Sequence, residues 1–145
     1  MTDYLINYLM LFVGTPYMWA GKNPVIGFDC SGLICEGLMA TGLLPFGSVL
    51  SSQQLYDHFK AAKPEPIAAR GNLAFFGKDA KSIEHVGLVI GDGLMVEAGG
   101  GDHTVTDRGK ASDKNAFVKV RPIHYRRDFF EIVSLQALLM EPRLP

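Results

Sequence analysis

Apolar residues recur at helical spacing at the start of the chain. Tyr4, Leu5, Tyr8, Leu9 and Phe12 would share one face, which predicts a first helix over residues 3–13. The next stretch, 14–29, is rich in Gly and Pro and reads as an ordered loop. Asp29 then stands where a helix cap belongs, ahead of an apolar run that predicts a second helix over 30–41, closed by Gly42 and Pro45. Ser51 followed by Gln54 is a capping-box pattern, and it opens a third helix whose apolar side carries Leu55, Tyr56 and Phe59.

Beyond Pro64 and Pro66 the period changes. Short apolar or β-branched runs at Leu73–Phe76, Val86–Ile90, Leu94–Ala98, Thr104–Thr106 and Phe117–Arg121 are parted by Gly, Asp and Lys clusters and read as strands. The segment from Asp128 to Met140 fits a last helix or a strand. Helices first and strands afterwards, without βαβ alternation, predict an α+β fold with N-terminal helices packed on a central antiparallel sheet. No repeat, low-complexity tract or linker interrupts the chain, so residues 1–145 read as a single domain.

Composition narrows the function. A chain of 145 residues with 48% hydrophobic content can bury a core without disulfide or metal staples. The 14 Lys+Arg balance 15 Asp+Glu, and no basic run exceeds the pair Arg126-Arg127, which argues against nucleic acid as the main partner. The apolar stretch Tyr4 to Val13 lacks a basic flank, is interrupted by Asn7 and runs into Gly14-Thr15-Pro16. It therefore reads as neither signal peptide nor membrane span, and the expectation is a protein made in the cytoplasm without membrane insertion. Cys30 and Cys35 on one helix would be separated by about 7.5 Å of rise and point apart, too far for a disulfide, so both read as free thiols.

The chemistry concentrates at Gly27-Phe28-Asp29-Cys30-Ser31-Gly32-Leu33. A cysteine in the first turn of a helix sits where unpaired N–H groups and the helix dipole favour the thiolate, and the same amides can hold an oxyanion. The plain alternative is a small buried hydrophobe. Gly32 and Gly37 each cost roughly 1 kcal/mol in a helix, which makes sense where that helix lies tightly against the sheet. A thiolate nucleophile needs a base, and the histidines are His58, His85, His103 and His124. His85 opens the strand that Gly91-Asp92-Gly93 turns into Leu94–Ala98. With a three-residue turn, Gly87 faces Glu97, and His85 lies diagonally from Glu97 on one face. A two-residue turn would shift the register and put the two on opposite faces. His58 reads as helix surface, and His103 and His124 have no such partner.

Gly14-Thr15-Pro16-Tyr17-Met18-Trp19-Ala20-Gly21, the Asp-Cys-Ser-Gly segment, Arg70-Gly71-Asn72-Leu73-Ala74-Phe75-Phe76 and His85-Val86-Gly87-Leu88-Val89-Ile90-Gly91-Asp92-Gly93 together resemble the NlpC-type cysteine peptidases. The resemblance runs from about residue 2 to 121. It implies a papain-like fold in which the Cys30 helix packs on the sheet carrying His85. It also implies a murein endopeptidase, with a peptidoglycan stem peptide as substrate, cut between γ-D-glutamyl and a diamino acid. Tyr17 matches the family tyrosine that reaches the nucleophile and helps at the oxyanion, and Asp29 and Ser31 match residues that line the substrate groove. The family's third catalytic position, usually His and sometimes Asn or Gln, falls at Glu97. Ala20 replaces the second glycine of the usual Trp-Gly-Gly.

Trp19 and Phe28 read as loop-anchoring core. Asp102 with His103 lacks metal-ligand spacing, and Gly99-Gly100-Gly101 lacks the setting of a phosphate loop and reads as a groove edge. No metal or cofactor is expected. The missing export signal, set against a wall substrate, points to delivery by a phage tail or a secretion machine. Two other functions compete: a thiol acyltransferase or lipid hydrolase on a related scaffold, and a structural or binding module that keeps the fold.

Overall fold

The first helix, α1, spans Thr2–Met10 and buries Leu5, Ile6 and Leu9. It stops short of the expected residue 13. Leu11, Phe12 and Val13 donate instead to carbonyls three residues back, so the chain tightens into successive turns before Gly14 at φ 94°. This computed structural model describes residues 1–61 and 68–135. Within the expected 14–29 loop, Lys22–Asn23 (β1) and Gly27–Phe28 (β2) form a two-residue antiparallel ladder, a small element that alternation over so few residues does not announce.

The second helix, α2, covers Cys30–Ala40, and its N-cap is Asp29, whose carboxylate accepts from the Gly32 N–H at 2.7 Å. Its glycines serve close approach, though not to the sheet. A Cβ at Gly32 would collide with the Gly21 carbonyl oxygen, and one at Gly37 would press on Leu5 and Leu9 at 2.8–2.9 Å. α2 is thus seated against the preceding loop and against α1. The third helix, α3, spans Ser52–Phe59 with both bonds of the Ser51/Gln54 capping box formed and Leu55, Tyr56 and Phe59 buried, as expected.

Five strands follow: β3 Leu73–Gly77, β4 Ile83–Gly91, β5 Leu94–Gly99, β6 Phe117–Pro122 and β7 Phe129–Val133. They form one antiparallel sheet in the order β6-β5-β4-β3-β7. The α+β expectation holds. The open choice for 128–140 resolves as a strand over Phe129–Val133, and residues 136–140 lie outside the described residues. One face of the sheet, with Phe75, Val86, Leu88, Val96 and Val118, shares a core with the three helices. The other gathers Phe76, Val89, Met95 and Ile132 around Ile123, which begins a short 3-10 turn.

Thr104–Thr106 is not a strand. Asp102 accepts from the Thr104 N–H, Trp19 donates to the Val105 carbonyl, and Asp107 caps a further short helix, α4, at Arg108–Asp113. Local side-chain bonds therefore compete successfully with a ladder there.

Candidate active site

The β4–β5 hairpin decides whether His85 and Glu97 meet. Its turn has two residues, Asp92 and Gly93, at φ 53° and 71°, the left-handed pair that a tight primed turn requires. A simple two-residue turn would have put the two side chains on opposite faces. A bulge between Val89 and Gly91 shifts the register by one, so that Leu88 faces Val96 and Val89 faces Met95. The expected pairing is reached by a different turn, and His85 Nε2 lies 2.6 Å from Glu97 Oε2. Glu97 is fully buried, which excludes a solvated strand residue.

The N-terminus of α2 meets the start of β4, where the Cys30 sulfur lies 3.9 Å from the Glu84 carbonyl oxygen. With Nε2 committed to Glu97, Nδ1 is the ring nitrogen left to face Cys30, the other group that acts on this imidazole. Burial alone would lower the imidazole pKa, but the bonds to Cys30 and Glu97 outweigh it and push it up to about 9. Burial likewise works to raise the Glu97 carboxyl, yet His85 and Arg121 hold it below the usual carboxylate range.

Arg121 is the residue that sequence reasoning missed. Its Nε donates to Glu97 Oε1 at 2.6 Å, its Nη2 pairs with the same oxygen, and the guanidinium lies 3.7 Å from the Tyr125 ring centroid. Glu97 thus bridges an imidazole and a guanidinium. Gly99 makes room, because a Cβ there would strike both Glu97 and Arg121. The signal was present: Lys119 faces Glu97 across β5–β6, and Arg121 is its diagonal neighbour on the same face. Reading it needed that pairing in advance.

Tyr17 is buried and borders the cleft beside Cys30. Burial first, then the neighbouring Cys30, Asp29 and Asp102, raises its phenol pKa, so it remains a hydrogen-bond donor. The Cys30 and Ser31 amides have no acceptor among the described residues, as befits a first helical turn. Ser31 is tied to Asp29 at 3.3 Å, and both line the cleft. Burial raises the Asp29 carboxyl pKa against the lowering effect of its bonds to Gly32, Ser31 and Ala20. Trp19 is not core: it is half exposed, borders the cleft and stacks edge-on with His103, whereas Phe28 is fully buried as expected. Asp102 pairs with Lys114 at 2.8 Å. His58 and His124 lie apart, against Phe59 and Phe129.

A cysteine at a helix N-terminus, an imidazole and an ion-paired carboxylate in a cleft form the arrangement of a thiol hydrolase. The NlpC/P60 family model matches residues 14–125. The chain belongs to the NlpC/P60 family. Among curated relatives, the bifunctional muramidase/DL-endopeptidase CwlT of Bacillus subtilis is 39% identical over 58% of this chain and 25% of its own length. The murein DD-endopeptidase MepH of Escherichia coli is 31% identical over 67% of this chain and 36% of its own length. The γ-D-glutamyl-L-lysine dipeptidyl-peptidase of Bacillus cereus is 34% identical over 66% and 28%. The chain therefore matches only about a quarter to a third of the length of these relatives.

Solved NlpC/P60 structures agree in fold. A Bacillus cereus family protein superposes with TM-score 0.68 and 26% identity over 92% of this chain and 40% of its own. RipD of Mycobacterium tuberculosis, described as a non-catalytic domain adapted to peptidoglycan binding, gives 0.66 and 28% over 92% and 96%. RipA structures mutated at a cysteine and at a glutamate give 0.63 and 0.64, each at 25% identity over 91% of this chain and 60% of theirs.

Proposed function

We propose that the protein is a cell-wall hydrolase, a cysteine peptidase acting on peptidoglycan stem peptides. The observation that carries this reading is the His85–Glu97–Arg121 series, with Cys30 at the α2 N-terminus in the same cleft that His85 borders. Its cysteine and glutamate are also the residue types altered in the RipA structures. The Cys30 thiolate attacks a peptide carbonyl carbon, and the free amides of Cys30 and Ser31, with the Tyr17 hydroxyl, receive the developing oxyanion. The C–N bond then breaks as the His85 imidazolium gives its proton to the leaving amine. Neutral His85 next takes a proton from water, and the resulting hydroxide hydrolyses the thioester and regenerates the thiol. Glu97 holds the ring in place through both protonation states. Asp29 and Ser31 contact the acyl half of the substrate.

For the bond, we propose γ-D-glutamyl–diamino acid. The names of two relatives, a DL-endopeptidase and a γ-D-glutamyl-L-lysine dipeptidyl-peptidase, support it, whereas MepH is named for a DD bond. Mass spectrometry of muropeptides released from purified sacculi decides between them. New amino termini on the diamino acid are expected with the parent protein and none with Cys30→Ala. Binding to sacculi without release of peptides would mean a role like that of RipD. For delivery we propose carriage by a phage tail or a secretion machine. Finding the protein free in the periplasm of cells that have neither would overturn that.

A further inference from the structure

The cleft has two lobes that meet at Cys30, Tyr17, Trp19, Ser52 and Glu84. One, of about 410 Å³, is lined by Asp29, Ser31, Cys35, Val49 and Gln54 and does not include His85. The other, of about 540 Å³, is lined by His85, Gly100, Asp102, His103 and Arg126. A general acid must touch the nitrogen it protonates, so the amine-side half of the substrate lies in the lobe that His85 borders. This assignment of halves rests on the hydrolase reading above.

Arg126 is a permanent cation on that lobe, and its position is fixed. Nε and Nη2 donate to the two Asp128 oxygens at 2.9 and 2.8 Å, and the guanidinium carbon lies 5.4 Å from the Phe76 ring centroid. Phe76 in turn contacts the His85 ring, with centroids 5.4 Å apart. The Asp128 bonds use two of the five guanidinium N–H donors. The remaining donors belong to a planar group already held in orientation, which suits a carboxylate better than a flexible ammonium would. The other charges of the lobe do not compete for that role. Asp102 is paired with Lys114, and Glu84 is exposed and of the wrong sign.

We infer that Arg126 is the specificity residue for the amine-side amino acid, reading a free carboxylate on its side chain. A diamino acid with a side-chain carboxylate is therefore preferred over lysine. Three synthetic peptides test this. They share one γ-D-glutamyl acyl half and carry diaminopimelate, its side-chain amide or lysine after the scissile bond. The parent should cut the free-carboxylate peptide with kcat/KM about tenfold or more above the other two, chiefly through KM. Arg126→Gln should narrow that ratio to within about twofold, and Arg126→Lys, which keeps the charge without the fork, should fall between. A merely structural Arg126 would lower all three rates together and leave the ratio in place, and that result overturns the inference. So does a parent enzyme that cuts all three peptides equally. A parent that cuts none of them refutes the hydrolase reading itself.

Discussion

At the scale of single residues, Glu97 carries the sharpest expectations. Its charge, held by Arg121, stabilises the protonated form of His85, so the alkaline limb of the pH–rate profile should lie near the imidazole value of about 9. Glu97→Gln keeps an acceptor for the imidazole and removes the charge, and that limb should move to lower pH. Glu97→Ala also frees the ring and leaves Arg121 facing an empty site, and should cost roughly 10–1000-fold in kcat. Steady-state rates on a stem peptide across pH 5–10 measure both, and unchanged limbs in both variants would remove Glu97 from the chemistry. The two cysteines should separate as clearly. Both border the cleft, but Cys30 is only half-buried, whereas Cys35 is buried and burial raises its thiol pKa. Iodoacetamide at neutral pH should therefore modify Cys30 well before Cys35, and equal labelling by peptide mapping would contradict the nucleophile assignment. Cys30, His85 and Glu97 were legible because each lies in a local pattern: a cap, a strand and a hairpin. Arg121 was not, because its contact depends on a strand reached only after the long excursion from Gly99 to Phe117.

At the scale of elements, local chemistry set what could be read and what could not. Asp29 and the Ser51/Gln54 box mark the starts of α2 and α3 because caps are encoded within four residues. The hairpin register came out right although the turn length did not, since the bulge that corrects it leaves no composition signal of its own. The 104–106 segment failed as a strand for the opposite reason: its β-branched residues are plain, and the Asp102 and Asp107 side chains that divert them act locally. Ala20 records a cost of this kind. It sits at φ 59°, in the region that glycine favours, in the loop that brings Tyr17 and Gly21 to the cleft. An L-residue there is strained by about 1–2 kcal/mol, and glycine relieves that strain while losing more chain entropy on folding. Ala20→Gly should therefore stabilise the protein by up to about 1 kcal/mol. Chemical denaturation measures it, and a lower midpoint for the variant would show that the loop is not strained at this position.

At the scale of the molecule, the fold brings the N-terminus of α2 to the start of β4, and that junction ties stability to pH. The nucleophile comes from α2, which is seated on the β1–β2 loop and α1, and the base from β4, so neither half is complete alone. In the folded protein His85 stays protonated up to about pH 9, whereas an unfolded chain releases that proton near 6.5. The folded state then binds more protons than the unfolded state between these values. Its stability from this group is fully present below about pH 6.5 and is lost as pH rises through about 9. Glu97 acts in the other direction. Its pKa is lowered from 4.5, so its contribution is present above that value and is lost as pH falls through the lowered one. The melting temperature should accordingly form a plateau between these two windows and decline from about pH 6.5 to 9. Cys30→Ala removes one of the two partners that raise His85, so its decline over that interval should be shallower than the parent's. Calorimetric scans of both proteins at half-unit pH steps measure the difference. Parallel curves for the two would mean that His85 titrates independently of Cys30, and the coupling of nucleophile to base across the helix–sheet junction would have to be abandoned.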